Sequence, residues 1–225
     1  MRVGEGDGAR RDRRPGELVD ASTALTVLEP PRYVSRGGEK LAGALDAFAI
    51  DPHGWTCLDV GASTGGFTEC LLQRGARRVY ALDVGRGQLA DALRSDARVA
   101  SMERTHAARL DPACDDPLTL PEHVRLAVVD ASFISLTRLM AGIAAWVVPA
   151  GDIVALVKPQ FELTPRQVPR GVVRDAAARA EAVTRVRSHA NGLGLIPLAE
   201  SDSVLPGPAG NRETFLHLRV GRERA

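Results

Sequence analysis

The sequence predicts an α/β fold of the Rossmann-like kind, a seven-stranded, mostly parallel sheet with helices on both faces. Three observations predict it. Leu58 to Leu72, LDVGASTGGFTECLL, runs from an apolar strand through a glycine-rich turn into a helix. Short apolar runs bounded by turn residues, each suited to a strand covered on both faces, alternate with stretches of helical period. Two of those runs, VYALDV and LAVVD, carry an acid at their carboxyl end, Asp83 and Asp130, where open α/β sheets gather their ligands.

The elements follow in order. Residues 1 to 14 are glycine and charge without period, and are read as lacking regular structure. Arg10, Arg11, Arg13 and Arg14 form a basic knot there that could touch phosphate. Pro15 to Pro30 reads as a turn and one short strand, TALTVL. Glu39 to Phe48 is predicted helical, because Leu41, Ala44, Leu45 and Phe48 share one face. Lys40 falls in its first turn, where the macrodipole favours an acid, so a specific partner is expected. Thr56 to Val60, Val79 to Val84 and Arg98 to Met102 are the first three core strands, with a short helix over Gly85 to Arg94. Glu103 to Cys114 is a loop holding His106, a candidate for acid–base work or for the edge of a cofactor. Leu126 to Asp130 is the fourth strand and Leu136 to Val148 a helix. Asp152 to Val157 is the fifth strand; Pro159 stops it and fixes Lys158 at the rim. Gln160 to Gly171 reads as a lid. Arg174 to Asn191 is a long helix, Leu195 to Ala199 a sixth strand, Ser203 to Arg212 a turn-rich loop, and Glu213 opens the last strand, TFLHLRV.

With 225 residues, the chain is long enough for one α/β domain and a short appendage. A hydrophobic content of 44% and a charged content of 25% are those of a globular protein. No apolar run approaches the ~18 residues that span a membrane, and the first residues have no apolar core of a signal peptide. Cys57, Cys70 and Cys114 are spaced neither as a disulfide framework nor as metal ligands, so reduced thiols and no metal are expected. The net charge of +1 gives no global field to recruit a polyanion. Of the 29 basic side chains only Lys40 and Lys158 are lysines. Where arginine serves every ordinary need for a cation, two surviving lysines are suspects for giving up a proton near neutral pH, which arginine cannot do.

The glycine turn aims free backbone N–H groups at whatever binds there. Its spacing is neither GxGxxG nor a phosphate loop. Asp83, about 20 residues further on, suits two ribose hydroxyls, an arrangement that serves NAD and S-adenosylmethionine alike. The residues DVGASTGGF followed by ALDVG resemble the cofactor half of a class I methyltransferase, of the FtsJ-like group and its TlyA (hemolysin A) family. SRGGEKL, VVDASFISL, LVKPQFE and GNRETF extend the resemblance from about Tyr33 to Leu218.

That resemblance implies S-adenosyl-L-methionine, held by Asp59, Gly61, Ala62, Ser63, Thr64, Gly65, Gly66, Phe67, Asp83, Val84 and Asp130. It also implies a Lys-Asp-Lys-Glu tetrad of 2′-O-methyltransferases in Lys40, Asp130, Lys158 and Glu213. Lys158 is the expected base for a ribose hydroxyl, a poor nucleophile that a neutral amine about 3 Å away could deprotonate. The methyltransferase domain is expected over 33–225, and 1–32 as a truncated RNA-binding segment whose helical half is missing. The expected partner is ribosomal RNA or a ribosomal subunit in the cytoplasm, with no membrane. A nucleoside or other small molecule is the alternative substrate, favoured by the low net charge, the shortened segment, and His106 and Ala108 where the family has asparagine and then arginine.

Overall fold

A computed structural model describes residues 2–3, 25–26 and 31–221. The chain divides into two units, Met1–Arg32 and Tyr33–Ala225. In the first, β1 (Arg2–Val3) pairs antiparallel with β2 (Leu25–Thr26). A two-residue bridge therefore involves the stretch read as irregular, and β2 falls inside the expected TALTVL strand. The basic knot at Arg10 to Arg14 lies outside the described residues.

The second unit holds a seven-stranded sheet. Its strands are β3 (Thr56–Val60), β4 (Arg78–Leu82), β5 (Val99–Met102), β6 (Val124–Val129), β7 (Val147–Val157), β8 (Leu195–Asp202) and β9 (Thr214–Val220). The spatial order is β5-β4-β3-β6-β7-β9-β8. The first five are parallel; β9 inserts antiparallel between β7 and β8. The chain reverses order at β3, which makes the carboxyl ends of β3 and β6 the switch point of the sheet.

Side-chain alternation along the strands builds two cores. Cys57, Val79, Ala81, Leu126, Val128 and Phe215 face α1 (Arg36–Ala47) and α2 (Gly66–Gln73), meeting Leu41, Leu45, Phe67 and Leu71. Leu58, Val60, Leu82, Ala127, Val129 and Ile153 face the other way, toward α4 (Met140–Ala145) and α6 (Ala176–Gly192), meeting Ile143, Ala182 and Val186. The helix between β4 and β5, α3, is reduced to Asp91–Arg94. The expected start at Gly85 fails because Gly85 and Gly87 give their N–H groups to the Asp83 and Glu103 carboxylates. The helix expected over Leu136 to Val148 is likewise shorter: a 3-10 turn at Leu136–Arg138 precedes α4, and β7 takes the chain from Val147.

Helix α1 starts earlier than its apolar period indicates. Its N-cap is Ser35, so Lys40 stands in the second turn, and the argument from the macrodipole does not apply to it. Gly38 explains the shift. A Cβ there would lie 2.1 Å from the Tyr33 ring, so glycine lets the first turn close against the buried tyrosine. The expected lid contains three short helical turns, α5 (Pro159–Glu162) and 3-10 turns at Pro165–Gln167 and Pro169–Gly171.

Candidate active site

The glycine loop is built by close approach. Gly61 takes φ 86°, and a Cβ on it would lie 2.6 Å from the Asp130 carbonyl oxygen. The loop thus crosses directly over the end of β6, and the Asp130 N–H donates to the Val60 carbonyl at 2.9 Å. Ser63 also takes a positive φ, 47°, and its N–H donates to Asp83 Oδ2 at 2.8 Å; the Gly85 N–H donates to Oδ1 at 2.7 Å. Asp83 therefore fastens the loop to the second strand. Each of its oxygens keeps a further lone pair.

Among the described residues, two sizeable cavities adjoin this loop. An open cleft of about 710 Å³ is lined by Gly61, Ser63, Asp83, Val84 and Asp130, with Leu82, Ala107, Ile134 and Leu139 as an apolar wall. His106 lines it too; its Nδ1 accepts from the Ala108 N–H at 3.1 Å, which caps the 3-10 turn that follows. His106 thus lines the larger cleft with Asp83 and is not among the residues lining the smaller cavity with Lys158. A smaller cavity of about 230 Å³ is lined by Lys40, Gly61, Ala62, Ser63, Thr64, Gly66, Phe67, Asp130 and Lys158. Gly61, Ser63 and Asp130 belong to both.

The four tetrad residues form two pairs. Lys40 Nζ is 2.5 Å from Glu213 Oε2, with Lys40 5% and Glu213 2% exposed. Lys158 Nζ is 2.6 Å from Asp130 Oδ1 and donates to Ser132 Oγ at 2.8 Å. Lys40, Lys158 and Asp130 face the smaller cavity, and Glu213 lies behind Lys40. Glu213 Oε1 has no hydrogen-bond partner among the described residues, and a Cβ on Gly207 would come within 2.5 Å of it. The β8–β9 loop therefore needs glycine where it closes over the carboxylate. The neighbouring Asn211 fastens the end of the segment expected as a lid, accepting from the Val173 N–H and donating to the Gly171 carbonyl.

Two of the residues expected at the cofactor do not reach either cavity. Asp59 is wholly buried, on the face of β3 turned toward α2, where it accepts from Thr68 Oγ1 at 2.6 Å. The strand's period of two explains this: Asp59 shares the face of Cys57, not the rim. Burial is the main cause that raises its pKa to about 7, helped by the charges of Asp130 and Asp83 and opposed by Thr68. Gly65 packs against Leu89 and Leu93, where a Cβ would lie 2.3 Å from the Leu93 Cδ1. All three cysteines are free, and burial, with Asp59 beside it, pushes the Cys57 thiol up to about 12.

Three features escaped the sequence reading. Ser132 holds Lys158. Phe133 takes φ 65° and is 91% exposed at the edge of the cleft, with its ring 5.2 Å from that of Phe161. A bulky residue in the left-handed region, exposed, is a costly arrangement. Finally, Arg36 and Arg138 line the cavities, and Arg166, Arg170, Arg174 and Arg212 stand exposed on the loops of the same sheet end. None of the six has a carboxylate partner among the described residues, whereas Arg77, Arg98 and Arg187 elsewhere each pair with an acid. A net charge of +1 therefore does not preclude a group of arginines at one end of the sheet.

Comparison with known proteins gives one family match, to the FtsJ-like methyltransferase model over residues 33–220. The chain is 49% identical over 215 residues to the 16S/23S rRNA (cytidine-2′-O)-methyltransferase TlyA of Mycobacterium tuberculosis, covering 94% of this chain and 78% of that protein. It is 38% identical to Hemolysin A of Brachyspira hyodysenteriae, over 87% of this chain and 80% of the relative. Among solved structures, a hemolysin-like protein from Streptococcus thermophilus superposes with a TM-score of 0.82 at 38% identity, covering 98% and 79% of the two chains. The N-methyltransferase NodS of Bradyrhizobium japonicum, in complex with S-adenosyl-L-homocysteine, superposes at 0.54 with 15% identity over 82% and 86%, a likeness of fold.

Proposed function

The chain belongs to the FtsJ-like methyltransferase family, and from that premise we propose that it methylates a ribose 2′-hydroxyl of ribosomal RNA in the cytoplasm. Its cofactor is S-adenosyl-L-methionine, and the residues present fit that group. Asp83 has lone pairs left for two ribose hydroxyls, the wall of Leu82, Ala107 and Leu139 suits an adenine, and the cleft's ≈ 710 Å³ lies within the ~300–1,000 Å³ usual for small ligands. When bound, the cofactor supplies an activated methyl group, so the protein's task is to place and deprotonate the hydroxyl.

The observation that carries the reading is the meeting of two lysine–carboxylate pairs at one cavity beside the glycine loop. Lys158 has its ammonium oriented by Ser132 and Asp130, and in its neutral form it would take the hydroxyl proton. Lys40, held by the buried Glu213, is a fixed positive charge lining the same cavity. Alignment of hydroxyl and methyl supplies most of the acceleration. The six arginines without a carboxylate partner among the described residues, two of them lining the cavities, suit a phosphate backbone better than a neutral small molecule, and Phe133 offers a face on which an unstacked base could lie. Residues 33–225 are taken as the methyltransferase domain and 1–32 as a segment of RNA-binding type. Among the described residues no helix is long and apolar enough to cross a membrane.

The test is transfer of labelled methyl from S-adenosylmethionine to ribosomal subunits, naked ribosomal RNA and a panel of nucleosides, with the product mapped by mass spectrometry. Label in a 2′-O-methylnucleotide of the RNA is expected. Label in nucleosides alone would overturn the choice of substrate.

A further inference from the structure

We propose that Glu162 is a positioning residue, whose buried carboxylate locks the turn after Lys158 onto the loop after Asp130 and so sets the geometry of the Lys158–Asp130 pair. The proposal rests on the reading of Lys158 as the base. The two segments leave neighbouring parallel strands, and the ladder that aligns them ends at Val129 and Ala155. Beyond that point other contacts must fix the register. Two of these, from Lys158 to Asp130 and Ser132, belong to the working group itself. A third, Phe161 on Phe133, lies at an exposed rim.

The contacts of Glu162 are the buried ones. Its side chain is 2% exposed, and its two oxygens grip consecutive residues: Oε2 accepts from Ser135 Oγ at 2.5 Å and Oε1 from the Leu136 N–H at 2.8 Å. From the other side Arg185 of α6 donates to the Glu162 backbone carbonyl at 2.8 Å. The one-turn helix that begins after Lys158 is thus clamped between the Asp130 loop and α6. No cationic side chain among the described residues pairs with this carboxylate. Burying a charge on a hydroxyl and one N–H costs more than filling the same space with an apolar side chain. A pair of directed contacts is what an apolar residue could not supply. A displacement of about 1 Å transmitted to the base can cost up to ~10²-fold in rate.

The test compares Glu162→Ala, Glu162→Gln and Ser135→Ala in single-turnover methylation of RNA at saturating cofactor, with S-adenosylhomocysteine affinity measured by calorimetry. Glutamine can still accept from the Leu136 N–H, and its amide can donate to Ser135 Oγ. Glu162→Gln should therefore stay within ~3-fold of wild type, while Glu162→Ala slows by ~10–100-fold with cofactor affinity nearly unchanged. Ser135→Ala, which loses one of the two contacts, should fall between. A Glu162→Ala rate near wild type, a Glu162→Gln as slow as Glu162→Ala, or a rate loss matched by lost cofactor affinity would overturn the proposal. If Glu162→Ala fails to fold, Ser135→Ala decides, and an unchanged rate there overturns it. Lys158→Ala runs alongside. Should it remain active, the reading of Lys158 as base fails, independently of the Glu162 result.

Discussion

Lys158 Nζ stands 2.6 Å from Asp130 Oδ1, yet the hydrogen bond it donates goes to Ser132 Oγ at 2.8 Å. Asp130 thus forms an ion pair with the ammonium, while Ser132 accepts a directed hydrogen bond from it. The pair is also reached from the smaller cavity, which both side chains line. Lys40 and Glu213 bond directly and both are buried, and of the two only Lys40 lines that cavity. Lys158 is thus the lysine whose carboxylate partner also lines the cavity, and Lys40 the one whose partner is buried behind it.

Breaking the Lys40–Glu213 pair should cost far more than removing it whole. Glu213→Leu leaves the Lys40 ammonium buried without its partner, and destabilisation of ~3–5 kcal/mol is expected. The double variant Lys40→Met with Glu213→Leu should recover most of that loss while remaining inactive. Urea unfolding measures both. Equal destabilisation of single and double variants would show that the pair is not the cause.

Asp59 should make the fold less stable as pH rises. Its folded pKa is raised from 3.8 to about 7, mainly by burial, so the folded state binds the proton more tightly than the unfolded one. The contribution is fully favourable below about pH 4 and is lost between about pH 4 and 7. At ~1.4 kcal/mol per pKa unit, the loss is at most of order 4 kcal/mol. Asp59→Asn keeps an acceptor for Thr68 but does not titrate. The unmet amide donor adds an offset that does not vary with pH. The stability difference, variant minus wild type, should climb across that window in urea titrations; a flat difference would refute the assignment.

Phe133 should matter for RNA and not for folding. The side chain is almost fully exposed, so Phe133→Ala should change stability by no more than about 0.5 kcal/mol and leave cofactor affinity intact. If a base stacks there, worth ~1–3 kcal/mol, RNA methylation at subsaturating RNA should fall ~5–150-fold. Wild-type kinetics on RNA would remove Phe133 from the substrate path.

The sheet and the places of Asp83 and Lys158 at its rim were legible because their signals are local. A buried strand ending in Asp83 or Lys158 announces both itself and its rim residue. Two lysines among many arginines stand out before any contact is known. The burial of Asp59 was not legible, because β3 is covered on both faces and its neighbours in sequence are apolar on either side. The start of α1 was hidden because Gly37 and Gly38 oppose helix formation by propensity, and only the tertiary contact with Tyr33 overrides it. Glu162 and Asn211 could not be found at all, since each acts by joining loops far apart in sequence. The motif LVKPQFE does include Glu162, but nothing in its spacing separates it from an ordinary exposed acid.

The most direct test of the account is single-turnover methylation of RNA by Lys158→Arg, followed across pH beside wild type and Lys40→Arg. Arginine keeps the cation next to Asp130 but stays protonated and cannot accept the hydroxyl proton. The account predicts a loss of ~10²–10⁴-fold for Lys158→Arg, the usual worth of a positioned base, with S-adenosylhomocysteine binding unchanged and a smaller loss for Lys40→Arg. A Lys158→Arg enzyme that runs near the wild-type rate with the same pH profile would contradict it, and Lys158 would then be a charge or a donor, with the base to be sought elsewhere.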